Sequence, residues 1–324
     1  MTMSTQGLGY DQVLLVPAES HVLPNTVSLA TKIGKQLILQ LPLFAEANDL
    51  TDYQHAIAVA RLGGLGLIAP QATTEAEVAM LKAVKQSTVD VQANPLASLD
   101  QAGNLQVGIE IWLKADTLAH VTSLVAAGLD AVILYLDTAV TDETLAQIAE
   151  LRQAFPELFL AVGAIEDYAT AKLIFAQDVD AVVAGRAVDS SLPNDKTYPF
   201  LTSVMAVATA ASEFDKQTIA LGGLNYSGDV VKAIAGGANA VILSTLLQGE
   251  ILADASGLEQ HMQITDAVFQ VLGGLRSGMG YTGAASIDAL IETGQFVEIS
   301  DNGLQESHPH DVEITKQAPN FHER

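Results

Sequence analysis

The 324-residue chain contains no cysteine. Disulfides, zinc–thiolate centres and thiolate nucleophiles are therefore excluded. Basic residues are also few: 15 Lys and Arg stand against 38 Asp and Glu, a formal net charge of −23. The scattered cations form no stripe that would follow a phosphate backbone, so nucleic acid is not an expected partner. The acidity reads as a solvating surface. No apolar run is long and unbroken enough to cross a bilayer, so no membrane association is expected. The opening MTMSTQGLGYDQ has neither the basic nor the apolar segment of a signal peptide. A cytoplasmic location is the expectation.

What the chain has in quantity is short apolar runs. Hydrophobic residues make up 49% of it, ample for a sizeable core. The runs are Leu37 to Leu41 (stopped by Pro42), Leu65 to Ile68, Leu105 to Trp112, Ala131 to Leu134, Leu158 to Val162, Ala181 to Val183, Thr218 to Leu221 and Ala240 to Leu243. Continuous apolar strands of this length suit a parallel sheet buried on both faces. Helical patterns lie between them. Asp116 to Ala127 ends at Gly128, Thr141 to Phe155 ends before Pro156, and Ser227 can cap a helix that ends at Gly236-Gly237.

Eight such alternations predict an α/β chain folded as a (β/α)₈ TIM barrel, with a doubly wound open sheet as the alternative. The pieces AAGLDAVILY, FAQDVDAVVAG and AGGANAVILS read as entries into successive strands of a repeated βα unit. The predicted organisation is one barrel domain over residues 1–324, with an N-terminal extension to about residue 36 and a polar C-terminal tail from about residue 291. Residues 88–104 read as a surface loop.

Five motifs carry a resemblance. They are Tyr10 to Ala18 (YDQVLLVPA), Ala60 to Gly66 (ARLGGLG), Gly222 to Ala233 (GGLNYSGDVVKA), Leu272 to Gly283 (LGGLRSGMGYTG) and Glu306 to Lys316 (ESHPHDVEITK). In this order, and spanning nearly the whole chain, they resemble the IMP dehydrogenase and GMP reductase family. The resemblance implies the same barrel. It also shows what is missing: the regulatory CBS pair would fall near residues 88–104, where only a short loop remains. The mobile flap would follow the eighth strand, where Gly249 to Ser256 is expected to lead almost directly into a helix near Leu258.

The family's chemistry, as the resemblance implies it, uses a cysteine thiolate that attacks the purine, hydride transfer to NAD, and hydrolysis by an activated water. The cysteine position falls here on Ser191 or Leu192, depending on how the shortened loop Gly185 to Pro193 is aligned. The flap's arginine and tyrosine have no counterpart. The acid that holds the ribose after the seventh strand is replaced by Leu221. The cofactor-side Asp after the fourth strand falls on Tyr135, an Asn after the fifth on Ala164, and a Lys in the sixth on Val183. The Ser and Met of the first-strand loop fall near Ala45 and Asn48. The expectation is a protein without catalytic residues for this reaction, and with neither NAD nor the family's potassium ion as a functional cofactor.

The phosphate cradle implied by the resemblance is better kept: Ser190 after the sixth strand, Gly222 and Gly223 after the seventh, Ser244 and Thr245 after the eighth. Backbone N–H groups there would make the usual barrel anion site. Equally, the glycines are those that tight turns need. Glu46, Asp49, Asp137, Glu166 and Asp189 collect at predicted strand ends, and in so acidic a chain they read as surface, with no metal site expected. His308, His310 and His322 lie in the tail, where the His308-Pro309-His310 pair, which looks like a metal pair, is taken as structural; His21, His55, His120 and His261 are isolated and read as solvated or packed. Trp112 is expected in the core. The resemblance, with Gln305-Glu306-Ser307 preserved in type, implies a homotetramer or assembly with an active paralogue. The ligand expected is a purine nucleotide or another phosphate. The alternatives are a repurposed enzyme using the mouth carboxylates on a phosphorylated substrate, and residual IMP dehydrogenase activity.

Overall fold

Apolar runs bounded by turns become the strands of a closed barrel in the computed structural model, which describes residues 7–35, 37–46, 53–137, 139–186, 198–244, 247, 251–253, 259–261, 264–300 and 302–304. The barrel strands are Leu43–Ala45 (β1), Leu65–Ile68 (β2), Val107–Trp112 (β3), Ala131–Tyr135 (β4), Phe159–Ile165 (β5), Ala181–Gly185 (β6), Gln217–Leu221 (β7) and Ala240–Leu243 (β8). All neighbours are parallel, and β8 closes on β1 with Leu243 opposite Ala45. The intervening helices are Tyr53–Leu62 (α1), Thr74–Lys85 (α2), Thr117–Ala126 (α3), Asp142–Ala154 (α4), Tyr168–Phe175 (α5), Phe200–Phe214 (α6) and Ser227–Ala235 (α7), followed by Ile264–Thr282 (α8) and Ile287–Thr293 (α9). This is the (β/α)₈ architecture.

Side chains along each strand alternate between two cores. Phe44, Leu67, Ile133, Phe159, Val183, Ile219 and Ile242 fill the barrel interior. Leu43, Ile109, Val132, Val162, Val182 and Val241 face the helices. A packed interior of this kind leaves function to the two ends. Side-chain caps set the helix starts: Thr141 Oγ1 accepts from Thr144 N at 3.2 Å, and Asp167 Oδ1 accepts from Thr170 N at 2.9 Å. Gly66 is dictated by packing, because a Cβ there would lie 2.3 Å from Ala56 Cα in α1.

Three local expectations need correction. The first barrel strand is Leu43–Ala45, after Pro42; the run before it supplies Ile38–Leu39, which pairs antiparallel with Thr31–Lys32 below the barrel. Pro42 has no N–H to give, but its carbonyl accepts from Val241 N at 3.0 Å and so begins the strand. The helix expected near Leu258 begins at Ile264 as α8, and before it Ile251–Ala253 and Glu259–His261 form an antiparallel pair. Ser227 is the first residue of α7 and not its cap. Capping comes instead from Asp229, whose Oδ2 accepts from Asn225 N at 3.1 Å and Tyr226 N at 3.0 Å.

The leading and trailing segments hold each other: Val13–Leu15 pairs antiparallel with Phe296–Glu298. At the N-terminal end of the barrel, one buried ion pair and a half-buried ionic cluster staple the turns. Arg152 pairs with Asp180 and donates to the carbonyls of Phe155, Pro156 and Leu158, while Lys85 bridges Asp100 and Asp130 at 2.9 and 2.7 Å. A cavity of about 430 Å³ opens beside them, lined in part by Leu37, Gln106, Leu129 and Phe155. In barrels this end serves stability, and the opposite end, where the strands terminate, is where sites are built.

Candidate functional site at the barrel mouth

Two strands bring the most unusual group to the mouth. Within β3 the interior positions are Gly108, Glu110 and Trp112; in β4 they are Ala131, Ile133 and Tyr135. The register sets Trp112 opposite Tyr135 and Glu110 opposite Ile133. Tyr135 donates its hydroxyl hydrogen to Glu110 Oε1 at 2.7 Å, and its ring lies 5.5 Å from that of Trp112. Glu110 is 8% exposed and Tyr135 5%.

A carboxylate so placed loses its hydration with little in return. Burial is the main cause that pushes the Glu110 carboxyl up, to about 8; the negative charge of Glu46 adds to the rise and the Tyr135 hydrogen bond opposes it. Burial likewise raises the Tyr135 hydroxyl well above its usual range, reinforced by Glu110. At neutral pH the pair is therefore a carboxylic acid beside a phenol. Glu46 follows β1 and is anchored through its N–H to the Leu243 carbonyl at 3.0 Å.

Next round the mouth, Arg186 follows β6 and Glu166 follows β5. Arg186 Nη2 lies 3.2 Å from both carboxyl oxygens of Glu166, and both side chains are half-buried. Asp137, past β4, is exposed. Asp49 and Asp189 lie outside the described residues. Among the described residues, no three His, Cys, Asp or Glu gather closely enough to hold a metal ion.

The turn after β7 keeps both glycines in the left-handed region, Gly222 at φ +88° and Gly223 at φ +69°. A Cβ on either would fall 2.5 or 2.4 Å from the Phe200 ring at the start of α6. Turn geometry and the Phe200 contact together account for these glycines. The turn also has donors to spare: among the described residues, no acceptor takes the N–H of Gly222 or Gly223. Ser244 stands half-buried just past β8. The N–H groups of Asn225 and Tyr226, just before α7, are committed to Asp229. Ser190, Ser191, Leu192 and Thr245 lie outside the described residues, as do Asn48, Gln305 to Ser307, and the histidines at 308, 310 and 322.

The replaced positions sit where the barrel order puts them. Leu221 ends β7, buried, with its carbonyl so close to Gly185 that a Cβ there would approach to 1.9 Å. Val183 is buried inside β6, Ala164 half-buried in β5, and Ala45 buried at the end of β1. Trp112 is half-buried and packs at the edge of the interior cluster. Sequence reasoning missed Glu110 altogether. Its one signal was a lone charge between Ile109 and Ile111 in a run otherwise fit for burial.

Comparison with known proteins gives one consistent answer. Residues 7–258 and 255–310 match the family model described as the IMP dehydrogenase / GMP reductase domain. Inosine-5'-monophosphate dehydrogenase of Streptococcus pyogenes is 28% identical over 480 aligned residues, covering 98% of this chain and 97% of that protein. Those of Aquifex aeolicus and Halalkalibacterium halodurans are 26% and 25% identical, each covering 98% of both chains. These alignments are longer than this chain, so the relatives carry segments without a counterpart here.

Proposed function

Because the chain belongs to the IMP dehydrogenase / GMP reductase family, we propose that it is a member without dehydrogenase or reductase turnover that retains a phosphate-binding mouth. The observation that carries this reading is the absence of cysteine throughout the family-matched region. The thiolate implied by the family resemblance is both the nucleophile and the leaving group of the covalent intermediate. A serine in its place has no ionised form near neutral pH without an adjacent base, and a leucine has none at all.

The cofactor side supports the same reading. Tyr135, at the position of the family's acid, packs its ring on Trp112 and commits its hydroxyl to Glu110. No carboxylate stands at that position to receive a cofactor's hydroxyl groups, so the residues present do not fit NAD as the family uses it. At the ribose position Leu221 offers no acceptor. No step through NAD follows from this mouth.

The cradle favours a retained ligand. Among the described residues no acceptor takes the N–H of Gly222 or Gly223, and Ser244 stands on the neighbouring loop; Ser190 and Thr245 complete the proposed set. The ligand is a purine nucleotide or another phosphate ester. The family's assembly surface, and with it a cytoplasmic homotetramer or a mixed tetramer with an active paralogue, belongs to the same proposal. A second reading, a repurposed enzyme acting through mouth carboxylates, is favoured by one observation: Glu110 lies within electrostatic reach of Glu46. Thermal-shift titration with IMP, GMP, XMP, NAD and inorganic phosphate tests the first reading. It expects stabilisation by a nucleotide or phosphate and none by NAD; a shift with NAD, or none with any phosphate, overturns it.

A further inference from the structure

At the end of the barrel away from the mouth, the cavity of about 430 Å³ is bounded by three pieces of chain. Lys35 and Leu37 come from the antiparallel turn beneath the barrel, Asp100 and Gln106 from the segment entering β3, and Leu158 and Phe159 from the start of β5. Its volume falls in the range of small-molecule sites, about 300–1,000 Å³. Close-packed interiors leave few voids of this size. One edge of the cavity is polar. Asp130 Oδ2 accepts from Val107 N at 2.8 Å, which ties the carboxylate to the residue after Gln106. Lys85 links Asp130 to Asp100. Burial is the main cause that pushes the Asp130 carboxyl up from its ordinary value, with Lys85 opposing the rise. Gln106 lines the cavity, is 7% exposed, and has its side-chain oxygen buried with no hydrogen-bond partner among the described residues. A buried amide left unpaired is unusual and calls for a partner. A half-turn exchanges its oxygen and nitrogen, so the group can serve an entering ligand as acceptor. The rest of the wall is apolar: Leu37, Leu129, Leu158 and Phe159 are buried. The lining carries four carboxylates, on Asp100, Asp130, Glu157 and Asp180; against them stand Lys35 on the lining, and Lys85 and Arg152 beside it.

We propose that this cavity is a binding site for an amphipathic amine, a primary ammonium carried on an alkyl or aryl body. The ammonium donates to the Gln106 side-chain oxygen and lies against the Asp130 and Asp100 carboxylates, while the body covers Leu129, Leu158 and Phe159. Mostly apolar walls with a few convergent polar groups are the usual composition of a small-molecule site. A ligand carboxylate would meet like charge at the polar edge, and a neutral ligand would add no countercharge there. The site lies at the opposite ends of the strands from the mouth, so its occupancy does not depend on what the mouth binds.

Calorimetric titration of the full chain tests this. The probes are phenethylamine and hexylamine, with phenethyl alcohol and 3-phenylpropionate as neutral and anionic counterparts at matched ionic strength. The expected result is saturable one-to-one binding of an amine, at least about tenfold tighter than the alcohol, and no binding of the carboxylate. Gln106→Leu removes the amide and weakens amine binding about tenfold. Ala154 is exposed at the end of α4 and lines the cavity, so Ala154→Trp fills the space from a position that tolerates a larger side chain and abolishes binding. Absence of saturable amine binding, equal affinity for amine and alcohol, or amine binding unchanged in either variant with its fold verified by melting overturns the proposal.

Discussion

Tyr135 donates to Glu110 across 2.7 Å inside the barrel, and burial, against the opposing pull of that hydrogen bond, lets Glu110 keep a proton that an exposed glutamate would lose. The pair joins adjacent strands, β3 and β4, at the end where barrel sites assemble. From it follows a pH dependence. The folded-state value of about 8 lies above the ordinary 4.5. The folded protein therefore binds this proton more firmly than the unfolded chain does. The contribution is fully present below pH 4.5 and is lost as pH rises through 8. Glu110→Gln removes that loss. Melting curves at pH 6 and pH 9 should show the variant gaining on the unaltered protein by an amount on the order of a few kcal/mol. An identical pH dependence in both proteins would contradict this assignment.

Tyr135→Phe deletes the hydroxyl and leaves Glu110 Oε1 without its donor. The expected cost is about 1–3 kcal/mol by chemical denaturation. Because the lost hydrogen bond was holding the carboxyl down, the midpoint of the pH effect moves upward. A neutral substitution would show that the hydrogen bond contributes nothing to the fold.

Gly222→Ala tests the cradle's dual character. The new Cβ meets the Phe200 ring at 2.5 Å on a backbone at φ +88°. Destabilisation of about 1–3 kcal/mol is expected, and Phe200→Ala in the same chain should relieve only the steric part. Additive losses in a double-mutant cycle would show that the contact is not the source of the strain.

At the opposite end, Arg152→Met leaves Asp180 buried without its cation and removes three carbonyl contacts. The loss should be about 3–5 kcal/mol, with ligand responses at the mouth unchanged in the protein that remains folded. A change in ligand affinity at equal folding would argue that the two ends communicate.

The barrel was legible in the chain because parallel strands buried on both faces read as continuous apolar runs, and seven of the eight runs overlap barrel strands. The first did not, since Leu37 to Leu41 and Leu43 to Ala45 are alike in composition and only closure against β8 selects the second. The same property that reveals strands hides the site. Glu110 sits in a run that reads as core, and its partner is 25 residues away on the next strand. Position by position, Tyr135 reads only as a substitution for an acid; the register of β3 against β4 turns it into one half of a hydrogen-bonded pair. Ser227 shows the same limit on a smaller scale, because Asp229 was an equally good capping group and only the fold chooses between them.

The central claim is that this family member performs no NAD-dependent oxidation. It is tested most directly by incubating purified protein with IMP and NAD and following NADH fluorescence together with chromatographic XMP, beside an active IMP dehydrogenase. The account predicts no NADH and no XMP above the protein-free blank. NADH and XMP formed in equal amounts, and abolished by Ser191→Ala, would contradict it.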